Sequence, residues 1–194
     1  MKEPILYRIV RPILTFLLRV IYRPTIIGME NIPKGDSVVL AGNHTNHLDA
    51  ILLACSTKRT IHFLAKHTLM KGWKKVIFKN LGIIPVNRNE KNHQVMENAI
   101  KILNDNKVIG VFPESTINRT DDITMPFKPG AVKMCSDANT TLVPFVISGG
   151  FKKFKKSVRI EFFEGYKVSD DIEYENSKLR EKISNEIQKR QEEK

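Results

Sequence analysis

Apolar positions fall into two rhythms along the chain. Short continuous or alternating runs at Ser37–Gly42, Thr60–Ala65, Leu81–Val86, Val108–Phe112, Leu142–Ile147 and Val158–Phe163 have the length and bounding residues of strands. Between and after them lie segments with helical spacing. These are Ala50–Ser56, Asn92–Asn104 with Val95, Ala99, Ile102 and Leu103 on one side, Gly130–Asp137, and Asn176–Lys194 with Leu179, Ile183 and Ile187 in one stripe. Strands alternating with helices predict an α/β fold, a mixed, mostly parallel sheet flanked by helices. Pro85 has no N–H for a ladder, so its strand belongs at an edge or an end. With no internal repeat or linker, residues 26–194 read as a single α/β domain.

Residues 1–25 follow a different pattern. Ile5 to Tyr22 is rich in Leu, Ile, Phe and Tyr, but Arg8, Arg11, Arg19 and Arg23 interrupt or flank the apolar residues. The longest uncharged run, Pro12 to Leu18, is far short of the roughly 20 residues a membrane-spanning helix needs. A secretory signal is disfavoured, since no apolar core leads to a small-residue cleavage site. The segment reads as an amphipathic helix in a membrane interface, with Pro12 either starting the helix or kinking it. The bland alternative is a terminal helix packed on the domain.

Charge sharpens this picture. Lysine and arginine exceed acids by 11, which favours an anionic partner. The 194 residues suffice for one folded core, and two cysteines, Cys55 and Cys135, exclude a disulfide-stapled scaffold. From Ala50 to Asn89 there is no acid. A second basic cluster spans Phe151 to Lys156, and from Glu161 onward acids outnumber bases. This uneven distribution would orient the molecule on an anionic layer. A nucleic-acid module would need a recognition helix, zinc site or aromatic platform. Phe151 and Phe154 among lysines are the only hint of one.

The chemical signal begins where the first long strand candidate ends, at Asn43-His-Thr-Asn-His-Leu-Asp49. Polar groups here sit between an apolar strand and an apolar helix, a usual place for active-site loops. Five positions on a continuous helix is a rotation of about 500°, so His44 and Asp49 would not share a face. They can meet if His44 lies in the turn and Asp49 opens the helix. The carboxylate would then fix the imidazole tautomer, and His44 could take a proton from a hydroxyl. Metal binding by His44, His47 and Asp49 is a second reading, without support from any H-E-x-x-H or cysteine spacing.

Three further segments give the motif a context. His44-x-x-x-x-Asp49 resembles the first signature of the glycerolipid acyltransferases, specifically the 1-acylglycerol-3-phosphate acyltransferase family. Gly82-Ile-Ile-Pro-Val-Asn-Arg88 resembles the second signature. Val111-Phe-Pro-Glu-Ser-Thr116 resembles the third, usually F-P-E-G-T-R, and Leu142-Val-Pro-Phe-Val146 the fourth. They occur in the family's order. The third departs from the pattern, with Ser115 for glycine and Ile117 for arginine, although Arg119 stands two positions on.

The resemblance implies a glycerolipid-acyltransferase-like fold and direct transfer of an acyl chain from acyl-CoA or acyl carrier protein to a hydroxyl of a lysophospholipid, forming phosphatidic acid. It implies His44 as general base, Asp49 as its orienting carboxylate and Arg88 as holder of the acceptor phosphate. Glu114, Ser115 and Thr116 would shape the acceptor site, assisted by Lys128 in Phe127-Lys-Pro-Gly-Ala131. No cofactor, metal or nucleic acid is implied beyond the thioester co-substrate. The expected location is the cytoplasmic face of the cell membrane, held peripherally or monotopically on an anionic surface. Glycerol-3-phosphate or another lysolipid as acceptor, or a membrane-surface protein without activity, are the alternatives.

Overall fold

A computed structural model describes residues 4–66, 81–86 and 93–193. In chain order the elements are α1 (Ile5–Ile21), β1 (Thr25–Ile27), β2 (Val38–Gly42), α2 (Asp49–Cys55), β3 (Ile61–Lys66), β4 (Ile84–Val86), α3 (His93–Asn104), β5 (Val108–Val111), α4 (Gly130–Asp137), β6 (Thr141–Gly149), β7 (Val158–Phe162), β8 (Tyr166–Lys167) and α5 (Ile172–Glu192). One sheet runs β1-β7-β6-β2-β5-β3-β4, with β8 paired to β6. Its pairs are parallel except β6 with β7 and β6 with β8. The mixed, mostly parallel α/β architecture read from the sequence is therefore what the chain forms, and the proline-containing β4 lies at the edge.

The sheet is buried on both faces, which is why its central strands read as unbroken apolar runs. Val39 and Ala41 of β2, Ile109 and Val111 of β5 and Leu142 and Val146 of β6 face one way. They pack with Leu103 of α3, Met134 of α4 and Leu179, Ile183 and Ile187 of α5. Val38 and Leu40, Val108, and Val143, Phe145 and Ile147 face the other way, toward Leu18 of α1 and Leu52 and Leu53 of α2. The alternation places α3, α4 and α5 on one side and α1 and α2 on the other.

Gly42, at the end of β2, is fixed by contact. A Cβ there would lie 2.4 Å from the Phe145 ring, so any side chain would push β2 away from β6 just before the His44 turn.

The elements absent from the sequence reading are the short ones. β1 pairs in parallel with β7 over Thr25–Ile27, and β8 covers only two residues. Three-residue and two-residue strands leave too little pattern for periodicity to register. Two boundaries also move. α5 starts at Ile172, four residues before Asn176, because the Asp171 side chain accepts from the Tyr174 N–H and caps it. α1 runs through Pro12 without ending there. Pro12 lies on the exposed side, where the missing N–H leaves a carbonyl in a position open to solvent.

Candidate active site

β2 and β5 are parallel neighbours with Ala41 opposite Val111, so their carboxyl ends meet. The loops that leave those ends carry the polar residues, and in open parallel sheets that is where a crevice for ligands forms. Asn43 is the first residue beyond β2. It is buried, its Nδ2 donates to the Ile147 carbonyl at 2.9 Å, and its Oδ1 accepts from the Ile147 N–H at 2.8 Å. The side chain thus imitates one more backbone rung against β6 and fixes where the turn begins.

His44 is held on every side. Its N–H donates to Glu114 Oε1 at 2.9 Å, and its carbonyl accepts from the Asn118 N–H at 2.7 Å. Its ring stacks on Phe112, with centroids 4.2 Å apart and planes at 21°. Phe112 itself meets the buried Phe145 edge-on at 5.8 Å. His44 Nδ1 lies 3.0 Å from Asp49 Oδ2. His44 sits in the turn and Asp49 is the first residue of α2, the arrangement in which a five-residue spacing can close.

Asp49 is fully buried, and its Oδ2 also accepts from the N–H groups of Thr45 and Asn46, at 2.7 Å each. One carboxylate oxygen therefore shapes the turn and orients the ring. An ionised carboxylate only accepts, so Nδ1 must be the donor and Nε2 keeps its lone pair. Nε2 makes no hydrogen bond among the described residues, and the His44 side chain is 18% exposed.

The facing loop, from Phe112 to Phe127, is built around Glu114. One oxygen takes the His44 N–H and the other accepts from the Met125 N–H at 2.9 Å. Glu114 is 4% exposed, and burial pushes its carboxyl above the ordinary value, with the two amide bonds and nearby His44 and Arg180 opposing. Both oxygens are used within the protein. Glu114 thus joins the two loops through backbone amides.

α5 supports this loop from below. Arg180 donates to the Thr124 carbonyl at 3.1 Å, Thr124 and Ser184 share a 2.7 Å hydrogen bond, and Asn176 donates to the Phe127 carbonyl at 2.9 Å.

Ser115 has a left-handed backbone, φ 62°, and its N–H donates to the Phe112 carbonyl at 2.9 Å. The family's usual glycine adopts such a turn freely, and serine adopts it here at a conformational cost. Thr116 and Lys128 are exposed. The Lys128 N–H donates to the Pro113 carbonyl at 3.0 Å, which leaves its ammonium at the rim. Arg88 lies outside the described residues. His47 is exposed and makes no hydrogen bond among them. No cluster of three His, Cys, Asp or Glu among the described residues is arranged to hold a metal ion.

Neither cysteine is placed as a nucleophile. Burial pushes both thiols up, Cys135 most strongly, which disfavours the thiolate.

Sequence reasoning missed Asn43, Phe112 and Asn118. Asn43 opens the polar cluster and Phe112 precedes Pro113-Glu114, so position marked two of them. Their partners, Ile147 and His44, are distant in sequence and only the fold reveals them.

A model of the family described as Acyltransferase matches residues 23–148, which contain His44, Asp49 and Glu114. A 1-acyl-sn-glycerol-3-phosphate acyltransferase of Borreliella burgdorferi is 32% identical over 136 residues, covering 69% of this chain and 54% of that protein. One of Bacillus subtilis is 29% identical over 136 residues, covering 68% of this chain and 67% of that protein. The chain thus spans between about half and two thirds of these curated relatives. The crystal structure of the 1-acyl-sn-glycerophosphate (LPA) acyltransferase PlsC from Thermotoga maritima superposes with a TM-score of 0.74 at 19% identity, over 96% of this chain and 78% of that one. With more than half of its length matched, and with the fold shared, this chain belongs to the acyltransferase family.

Proposed function

We propose that the chain transfers a fatty acyl group from a thioester of coenzyme A or acyl carrier protein to the free hydroxyl of 1-acylglycerol-3-phosphate, giving phosphatidic acid. The observation that carries this reading is the 3.0 Å contact between His44 Nδ1 and Asp49 Oδ2, which leaves Nε2 basic and unpaired among the described residues. Nε2 takes the hydroxyl proton as the oxygen attacks the thioester carbonyl. The tetrahedral adduct then collapses, the C–S bond breaks, and the imidazolium returns its proton to the thiolate. The buried Asp49 carboxylate stabilises the imidazolium and holds its tautomer. No acyl-enzyme forms: burial disfavours both thiolates, no serine among the described residues hydrogen-bonds to His44, and the acceptor hydroxyl is the nucleophile. No cofactor takes part beyond the thioester.

The acceptor phosphate is assigned to Arg88 on the sequence resemblance, with Lys128, Thr116 and Ser115 around it. A guanidinium fork suits the phosphate oxygens. Ser115 reaches the left-handed turn that glycine would make, so the altered third motif is compatible with a working site.

The reaction occurs at a membrane surface, on the cytoplasmic face, with the chain peripherally bound. No helix among the described residues is long and apolar enough to cross a bilayer. The outward face of α1 nonetheless exposes Ile5, Ile9, Ile13, Phe16, Leu17 and Val20, with Phe16 67% exposed, while Tyr7 and Leu18 pack inward. An unpartnered apolar stripe bordered by arginines suits an interfacial position.

The test is a product assay. Purified protein is given acyl-CoA or acyl carrier protein thioester together with 1-acylglycerol-3-phosphate, glycerol-3-phosphate or other lysophospholipids. Phosphatidic acid from the first acceptor is expected, and its loss in His44→Ala. Product only from another acceptor would reassign the substrate, and no product from any would remove the activity.

A further inference from the structure

The β6–β7 hairpin carries a feature that neither the core nor the active site uses. Phe154 is 63% exposed and has a left-handed backbone, φ 59°. A bulky aromatic there costs about 1–2 kcal/mol in backbone energy and gains no packing in water. The turn around it is ordered. Gly150 N–H donates to the Ser157 carbonyl at 3.0 Å, Lys152 N–H to the Gly150 carbonyl at 2.9 Å, Lys155 N–H to the Lys152 carbonyl at 3.2 Å, and the Ser157 hydroxyl to the Gly150 carbonyl at 2.7 Å.

The hairpin is also latched to α1. The Phe154 N–H donates to the carbonyl of Ile21, one of the last carbonyls of the helix, which have no partner within it. Beside this latch, Tyr22 and Phe151 meet edge-on at 5.4 Å. The tip of the hairpin and the end of α1 are therefore tied together by a backbone bond and a ring contact. Lys152, Lys153, Lys155 and Lys156 around the phenylalanine are all exposed.

Between the two elements lies a groove of about 460 Å³ lined by Arg19, Arg23, Pro24, Ile26, Met29 and Lys156. Three of its lining residues are cations and none is acidic. None of the three forms an ion pair among the described residues.

We propose that the Gly150–Ser157 hairpin is a second membrane-docking element, with Phe154 entering the interface beside α1 and the groove seating the phosphate of an anionic lipid. This rests on the interfacial position of α1 proposed above. Charge complementarity commits the occupant. Uncompensated cations around an exposed aromatic fit an anionic lipid layer, where each lysine near the surface strengthens binding about fivefold. Docking at two points rather than along one helix would fix the tilt of the domain, and so where the carboxyl ends of β2 and β5 face the lipid.

The experiment uses the full chain with phosphatidylglycerol-containing and pure phosphatidylcholine vesicles. Binding is read by sedimentation, and depth by fluorescence of Phe154→Trp in a Trp73→Phe background, with brominated lipid as quencher. Expected are sedimentation with the anionic vesicles, a blue-shifted and quenched emission, and binding weakened roughly twentyfold in Lys152→Ala/Lys153→Ala. Arg23→Ala/Lys156→Ala should remove most of the preference for anionic lipid. If wild type sediments while the Phe154→Trp emission stays unquenched and both double variants bind as wild type, the hairpin is in water and this inference falls, leaving the α1 reading intact. If wild type binds neither vesicle, the α1 reading falls as well. Unchanged melting temperatures in all variants separate lost docking from lost folding.

Discussion

The two loops that leave β2 and β5 differ in how they spend their polar groups. In the loop from Asn43 to Asp49, the groups that shape the turn are bound within the protein: Asn43 to Ile147, the His44 N–H to Glu114, its carbonyl to Asn118, and Asp49 Oδ2 to three donors. In the segment from Phe112 to Lys128, Glu114, Asn118 and Thr124 are bound within the protein, while the side chains of Thr116, Arg119 and Lys128 face solvent. On the proposed reading the first loop is preorganised for a proton transfer, which tolerates little positional error. The second leaves side chains free to meet an acceptor. On the proposed reading, chemistry and acceptor recognition lie on adjacent parallel strands, joined by Glu114 and by the Asn118–His44 backbone bond.

The largest expected effect tests the held loop. His44→Ala should lower kcat by about a hundredfold to ten-thousandfold, the usual contribution of a positioned base. Acceptor KM should change little, and the melting temperature by a few degrees at most. Asp49→Asn should also be severe, because an amide can favour the wrong imidazole tautomer. The double variant should be scarcely worse than His44→Ala, since the two act as a unit. Steady-state kinetics with circular-dichroism melts decide this. Additive losses would show two independent roles, and full activity in His44→Ala would move the chemistry elsewhere.

Glu114→Gln weakens one of the links between the loops. Glutamine presents one acceptor oxygen to two N–H donors, so the His44 or Met125 amide is stranded, at about 1–3 kcal/mol for a buried donor. Activity should fall less than in His44→Ala, and through kcat. The pH dependence has a definite sign. Burial raises the folded carboxyl above its ordinary value of 4.5. The folded state therefore holds this proton more tightly than the unfolded one. The associated stability is present below the ordinary value and is lost as pH rises through the raised one. The stability of wild type relative to Glu114→Gln should accordingly decline across that window in pH-dependent melts. A difference that grows with pH would mean that the amide bonds outweigh burial.

How much of this was legible beforehand follows from the range of each interaction. The fold class was readable because β2, β5 and β6 are buried on both faces and leave unbroken apolar runs. The His44–Asp49 pairing was readable because a turn followed by a helix start closes a five-residue gap locally. The partners of Glu114 were not, since they are the Met125 amide and a contact 70 positions away at His44. The outward apolar face of α1 was half-readable. Its composition is plain, but which stripe packs on α2 is decided by Tyr7 reaching the Ala54 carbonyl and Leu18 entering the core.

Ser115→Gly tests the open loop from the side of backbone energy. Relieving a left-handed serine should stabilise the protein by about 1 kcal/mol, or roughly 2–4 °C for a chain of this size. The kinetic constants should stay within about twofold, if the position serves the turn. A clear loss of kcat with a higher melting temperature would instead give the hydroxyl a part in acceptor binding.

The smallest effect belongs to Lys128→Ala. Its side chain is exposed, so on the proposed reading it meets the acceptor phosphate through water of high dielectric, where such contacts are worth about 0.2–1 kcal/mol. Its N–H donates to the Pro113 carbonyl, and alanine keeps that bond, so the loop and the melting temperature should not change. Acceptor KM should rise by no more than about fivefold, with kcat and thioester KM unaffected. The rise should shrink as salt is added, because screening acts strongly on exposed charges. A Lys128→Ala effect that persists at high salt, or that appears in kcat, would place the lysine inside the site, and the division between a held loop and an open one would no longer follow the boundary between β2 and β5.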